Sequence, residues 1–192
     1  MTEKDQLADI RQRIDEIDKS LQTLIPEPAS CAAQVAKVKQ QQGETGHFYR
    51  PEREAQVLRA VKERNTSLLP DVEMAKLFRE IMSACLALEQ PVSVAFLGPE
   101  GSYSHASVVK QFGSSAHSVA VSTIEDVFSA VDKGDANYGI VPVENSSEGV
   151  VKSTQNELIK TNLKISGEVS LAIHHCLMSK STDHAKIGRA LV

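Results

Sequence analysis

Cationic side chains dominate the chemistry-bearing positions in the first half of the chain: Arg11, Lys37, Lys39, Arg50 and Arg53. The segment Phe48-Tyr49-Arg50-Pro51-Glu52-Arg53-Glu54 sets two arginines beside a helix start. Arginine grips carboxylates through a planar fork of donors. Taken singly, each of these charges reads as solvated helix surface. Taken together, they make a seat for a substrate that carries carboxylates. No Ser/His/Asp arrangement and no metal motif accompanies them. A cationic pocket without a nucleophile suits a reaction in which the substrate rearranges on itself and the protein orients it.

The second half offers a glycine loop, Gly98-Pro99-Glu100-Gly101-Ser102, which opens a helix. Backbone amides there can face a carboxylate. It is not a phosphate loop, because no Gly-Lys-Ser/Thr follows. His174-His175-Cys176 is a weak metal signal, since adjacent side chains of a strand point to opposite faces. No metal and no cofactor is expected. Cys31 and Cys85 lie on apolar stripes and read as small core residues.

Two kinds of element must position these groups. Leu7, Ile10, Ile14, Ile17, Leu21 and Leu24 follow a heptad seam, which Cys31, Val35 and Val38 continue in phase. A helix of nearly 40 residues is implied, and a partner subunit is the natural cover for its seam. Pro26 and Pro28 interrupt it, so it either kinks or becomes two shorter helices. A polar turn, Gly43 to His47, follows. A second helix opens at Pro51 and runs to about Arg64. A third runs from Asp71 to Pro91 with an apolar stripe through Met74, Leu77, Phe78, Ile81, Met82, Cys85 and Leu86.

Beyond residue 91 the chain alternates. Strands are expected at Val92–Leu97, Ser118–Val121, Asn137–Val143 and, longest, Leu163–Met178. Helices are expected between them, one opened by a capping box of Ser122 and Glu125, another over Val150–Lys160. This βαβα order implies a mainly parallel sheet.

Composition narrows the function. The 192 residues carry 21 Lys+Arg against 25 Asp+Glu, which disfavours a uniformly basic nucleic-acid binder. Aromatics are 4% with no Trp, which disfavours base-stacking platforms. Seven of the eight arginines precede residue 91, and eight of the ten glycines follow it. Three cysteines without a CxxC pair fit a reducing cytosol. No secretory h-region and no run near 18 apolar residues is found.

Residues 7–90 resemble the all-helical chorismate mutase domain at the front of bifunctional chorismate mutase–prephenate dehydratases. The matching stretches are Ile10–Asp15, Val35–Lys39, Tyr49–Glu54 and Leu77–Ser83. Residues 92–178 resemble the start of the dehydratase domain, through Phe96–Ser104 and Gly139–Gly149. The resemblance implies an intertwined dimer of three-helix mutase units, then part of an α/β domain like periplasmic binding proteins. It implies the rearrangement of chorismate to prephenate, and the decarboxylating dehydration of prephenate to phenylpyruvate, in phenylalanine biosynthesis.

By that resemblance Arg11 reaches a substrate carboxylate across the dimer. Lys39 and Glu89 serve the ether oxygen whose bond breaks, and Arg50, Arg53, Glu54 and Cys85 line the pocket. In the dehydratase part Asn145 is catalytic, and Ser102, Ser146 and Thr154 bind substrate. The chain departs from the family where Pro28 replaces a carboxylate-clamping arginine. It also reads Lys152-Ser153-Thr154 for an Asn-His-Thr, and Asn156 for an aspartate. The family's Thr-Arg-Phe motif and phenylalanine-binding regulatory domain are missing, so the chain reads as C-terminally truncated, with an inactive dehydratase and an impaired mutase.

The resulting expectation is a multidomain α plus α/β protein, with a mutase domain over 1–90 and an incomplete dehydratase domain over 91–192. It is a cytoplasmic homodimer acting on chorismate and prephenate, with no nucleic-acid or membrane partner. The alternative is a non-catalytic remnant, a helical dimerisation module with an incomplete ligand-binding lobe. A free-standing aromatic-ligand binding protein is a third reading.

Overall fold

Two prolines decide how the N-terminal helix is built. The computed structural model describes residues 3–41, 49–89, 91–146 and 149–174, with backbone alone at Glu3, Ala36, Lys39, Gln40 and Glu89. In it, α1 spans Glu3–Leu24 and α2 spans Pro26–Gln41, parted at Ile25. The break puts Pro26 at the first position of α2 and Pro28 in its first turn. Amides there have no intrahelical partner, so the missing N–H groups cost nothing. The expected trio of helices is thus four. The seam stays exposed along both, from Leu7 through Ile10, Ile14, Ile17 and Leu21 to Val35 and Val38.

Helix α3, Pro51–Arg64, starts on Pro51, with Glu52 and Glu54 in its first turn and Lys62 and Arg64 in its last. Both ends complement the helix dipole. The Asn65 amide closes the linker by donating to Leu69 O at 2.8 Å and Asp71 Oδ1 at 2.7 Å. Helix α4, Asp71–Glu89, then packs against α3 and α2, with Leu58, Val61 and Ala75 buried.

A parallel sheet follows, as the alternation predicted. Strands β1 (Ser93–Leu97), β2 (His117–Val121) and β3 (Tyr138–Ile140) take the order β2-β1-β3. Central β1 is buried on both faces. Val94 and Phe96 meet Val92 and Val108 on one side, and Ala95 meets Val127 and Ala136 on the other. Helices α5 (Tyr103–Phe112) and α6 (Ile124–Asp132) make the crossovers.

Two expectations are corrected. The capping box of α6 is Thr123 with Asp126, one residue beyond Ser122 and Glu125. The Thr123 hydroxyl accepts the Asp126 N–H at 3.1 Å, and Asp126 Oδ2 accepts the Thr123 N–H at 3.1 Å. That phase turns Ile124 and Val127 inward. The long strand Leu163–Met178 is not formed: residues 163–174 carry no regular structure, and 175–178 lie outside the described residues. Alternation alone cannot make a strand where no neighbouring strand among the described residues offers a ladder. The expected loop Glu144–Gly149 holds a short antiparallel hairpin, β4 (Glu144–Asn145) with β5 (Gly149–Val150), ahead of α7 (Lys152–Lys160). Among the described residues no helix is long and apolar enough to cross a membrane.

Candidate functional site

The start of α3 brings three of the expected site residues into one turn. Arg50 is the N-cap residue, without a side-chain cap bond, and is exposed. Arg53 is exposed, one turn on. Glu54 turns inward, where its Oε1 accepts from Arg79 Nε at 3.0 Å. Arg11 stands exposed on α1. Among the described residues no side-chain hydrogen bond or ion pair joins Arg11, Arg50 or Arg53 to another expected site residue. Cys85 is a half-buried thiol on α4, in no disulfide among the described residues. Lys39 and Glu89 are placed by backbone only, near the end of α2 and at the end of α4.

Tyr49, just before the turn, joins this region to the sheet. Its ring lies 5.4 Å from those of Phe112 and Tyr138, edge-on to the latter, and Phe112 and Tyr138 are 5.2 Å apart. Its hydroxyl is enclosed, with no hydrogen-bond partner among the described residues. Burial first, and then the nearby Glu54 carboxylate, raise the phenol far above its ordinary range. Tyr138 is raised too, by burial and then by Glu52. A shallow cleft opens beside them, between Tyr49, Phe112, Tyr138 and the irregular segment at Gly167 and Glu168.

Of the second group, Ser102 lies just beyond the C-terminal end of β1. Ser102 caps α5: its hydroxyl oxygen accepts the His105 N–H at 3.3 Å. The His105 ring stacks on Phe96 at 5.0 Å, and its Nδ1 accepts the Gly101 N–H at 3.0 Å. The Gly98 and Ser102 amides bond to Val121 O and Pro99 O. The Gly98, Gly101 and Ser102 amides are therefore already engaged, by β2, by α5 and by the loop itself. Asn145, in β4, and Ser146, in the turn after it, are exposed. Thr154 is completely buried, its hydroxyl donating to Pro142 O at 2.6 Å. Here the threonine ties α7 to the segment leading into the hairpin.

Three residues that organise these groups were not singled out from sequence: Tyr49, Arg79 and His105. Arg79 belongs to a stretch that carries the family resemblance, but nothing in the sequence marks its pairing with a residue 25 positions away. Among the described residues no group of three or more His, Cys, Asp or Glu could hold a metal ion. His175 and Cys176 lie outside those residues.

Two family models match. The one described as prephenate dehydratase covers residues 94–190, and the one described as chorismate mutase type II covers residues 10–90. The chain is 49% identical over 185 residues to the bifunctional chorismate mutase/prephenate dehydratase of Pseudomonas aeruginosa, covering 95% of this chain and 51% of that protein. It is 50% identical to the protein so named from Stutzerimonas stutzeri, covering 98% and 53%. With its Escherichia coli counterpart identity is 30% over 211 residues, covering 98% and 53%. The chain spans about half the length of the curated relatives it matches.

Proposed function

This chain belongs to the prephenate dehydratase family, with a type II chorismate mutase region ahead of it, and we propose that its helical part rearranges chorismate to prephenate. We propose further that residues 91–192 form part of a domain that converts prephenate to phenylpyruvate in phenylalanine synthesis. The reading is carried by the turn Arg50–Glu54: two exposed arginines and an inward carboxylate at one helix start, with no Ser, Cys or His within the turn. Lys39 and Glu89 act on the ether oxygen, where negative charge develops as the bond breaks. Arg11, Arg50 and Arg53 bind the two carboxylates, with Glu54 and Cys85 completing the wall. In the dehydratase part Asn145 is the catalytic residue, and Ser102, Ser146 and Thr154 belong to the substrate site. That domain takes a periplasmic-binding-protein-like form.

The helical part, residues 1–90, works as an intertwined homodimer in the cytoplasm. A second copy covers the exposed seam and delivers its Arg11 to the partner's pocket. No cofactor takes part. Glutamate donates a hydrogen bond only when protonated, so turnover favours acid pH, and Glu89→Gln flattens that dependence.

Chorismate consumption by the purified chain tests this reading. A clamp arginine is missing at Pro28, so the parent rate is low. Pro26→Ser with Pro28→Arg raises turnover about tenfold to a hundredfold, the worth of a hydrogen bond to a charged group. A folded dimer with no turnover in either form contradicts the mutase reading and leaves a dimerisation module.

A further inference from the structure

Helix α4 has two clients. One side packs on α3 and α2. Another carries Arg79, Glu80, Ser83 and Leu86 toward the sheet. Arg79 Nε donates to Glu54 Oε1 at 3.0 Å, and its Nη1 donates to Lys110 O at 3.0 Å. Lys110 is in the last turn of α5. Carbonyls there lack intrahelical donors and carry the negative end of the helix dipole. One guanidinium therefore serves a carboxylate of α3 and a carbonyl of α5 together. The Arg79 and Glu54 side chains are 25% and 14% exposed, so water screens this pair less than a surface pair.

Neighbouring contacts hold α5 in place. The Glu80 carboxylate accepts from the backbone N–H of Ser114 at 3.1 Å and from its hydroxyl. Gly113 presses on buried Ser83: a Cβ at Gly113 would lie 2.4 Å from that of Ser83. Its φ of +79° is also a conformation that favours glycine. Leu86 packs on the cluster of Val92, Val94, Phe96 and Val108.

We propose that Arg79 is a positioning residue, which makes the orientation of the Glu54 carboxylate depend on the seat of α5 against α4. The guanidinium is rigid and planar, with donors at fixed angles. Displacing α5 displaces the fork, and the fork displaces Glu54. The mutase wall at Glu54 and the dehydratase-type part are then linked through the Arg79 side chain, beside the contacts made by Tyr49, Glu80 and Leu86. The consequence for catalysis rests on the mutase reading above; the link between α5 and Glu54 does not.

The test uses the whole 192-residue chain with three variants. Arg79→Gln removes the fork, and Arg79→Lys keeps the charge without it. Gly113→Ala pries α5 from α4 at Ser83, meeting Arg79 only at its backbone oxygen, at an ordinary contact distance of 3.6 Å, and leaving the Arg79 and Glu54 side chains in place. Amide hydrogen exchange is followed at 53–57, in α3, and at 110–117. Arg79→Gln and Gly113→Ala each speed exchange at 53–57 about tenfold or more, the scale of a lost charged hydrogen bond. Arg79→Lys falls between them and the parent. Gly113→Ala faster only at 110–117 overturns the proposal, as does an unchanged 53–57 region in Arg79→Gln. If either disruptive variant fails to fold, Arg79→Lys decides: parent-like exchange at 53–57 overturns the link. Chorismate kinetics are read in the Pro26→Ser, Pro28→Arg background. There Arg79→Gln and Gly113→Ala lower kcat/KM together, and Arg79→Lys recovers part of the loss. Coupled exchange without any turnover refutes the mutase reading while the link stands. Turnover untouched by variants that uncouple the exchange refutes the positioning role.

Discussion

The seam of α1 and α2 and the strand β1 are both strongly patterned, yet they end in opposite environments. Val94, Ala95 and Phe96 are fully buried between two helical layers. Ile10, Ile14 and Ile17 are about half exposed, and among the described residues α1 leans chiefly on α2. Periodicity states which side chains must leave water. It does not state whether the cover comes from the same chain. β1 finds its cover through the crossovers that carry α5 and α6, whereas among the described residues α1 packs chiefly on α2. Of the arginine candidates Arg11 sits on the uncovered helix α1, whereas Arg50 and Arg53 open α3, which is covered by α4. On the dimer reading proposed above, the seam is completed between copies, whereas β1 is completed within one.

The sharpest way to break this comparison is to charge the seam. Ile14→Asp with Ile17→Asp removes four isoleucines from a symmetric dimer. At about 1.5–3 kcal/mol each, association weakens more than thousandfold. Sedimentation then shows monomers, with the α/β part unchanged in its unfolding. A seam variant that stays dimeric refutes a self-covered α1. Phe96→Ala tests the other region. Loss of a fully buried ring costs about 3–5 kcal/mol in denaturant unfolding, whatever the protein concentration. A concentration-dependent loss would mean that the two regions are not separate in kind.

Smaller changes sharpen the picture. Thr154→Val deletes the 2.6 Å bond to Pro142 and takes that donor from a half-buried carbonyl, at a cost of about 1–3 kcal/mol. If Thr154 also binds substrate, prephenate affinity falls further than stability does. The smallest effect is alkaline. The native state holds the Tyr49 proton more tightly than the unfolded chain, because the phenol is buried beside Glu54. Stability from this residue is present below the ordinary tyrosine pKa of about 10 and declines as pH rises past it. Tyr49→Phe flattens that decline in urea titrations between pH 9 and pH 11, a range set around that pKa.

Much of the fold was legible because local patterns and sheet topology agreed. The parallel order of β1, β2 and β3 follows from helices placed between them. The start of α3 follows from Pro51, and that of α4 from Asp71 after Pro70. Where patterns failed, a partner was missing. Leu163 to Ile173 alternates like a strand but meets α5 through Lys110 Nζ, which donates to Ser170 O at 2.5 Å, rather than through a ladder. The capping box moved by one residue because inward phase for Ile124 and Val127 outweighed the choice between two adjacent hydroxyls. At the site, residue type announced Arg50, Arg53 and Glu54, but not that Glu54 faces Arg79 or that Ser102 caps a helix.

The sequence by itself determined which residues are apolar in phase, where prolines and glycines permit turns, and which cations stand near one helix start. These are local properties, set by side-chain chemistry and backbone sterics within a few positions. Only the tertiary structure decided that Arg79 joins Glu54 to Lys110, that Gly113 meets Ser83, and that Tyr49 is buried among Phe112 and Tyr138. Each of those contacts spans 25 residues or more. It forms because packing α4 between α3 and α5 closes the loops between them, and no short-range pattern encodes that closure.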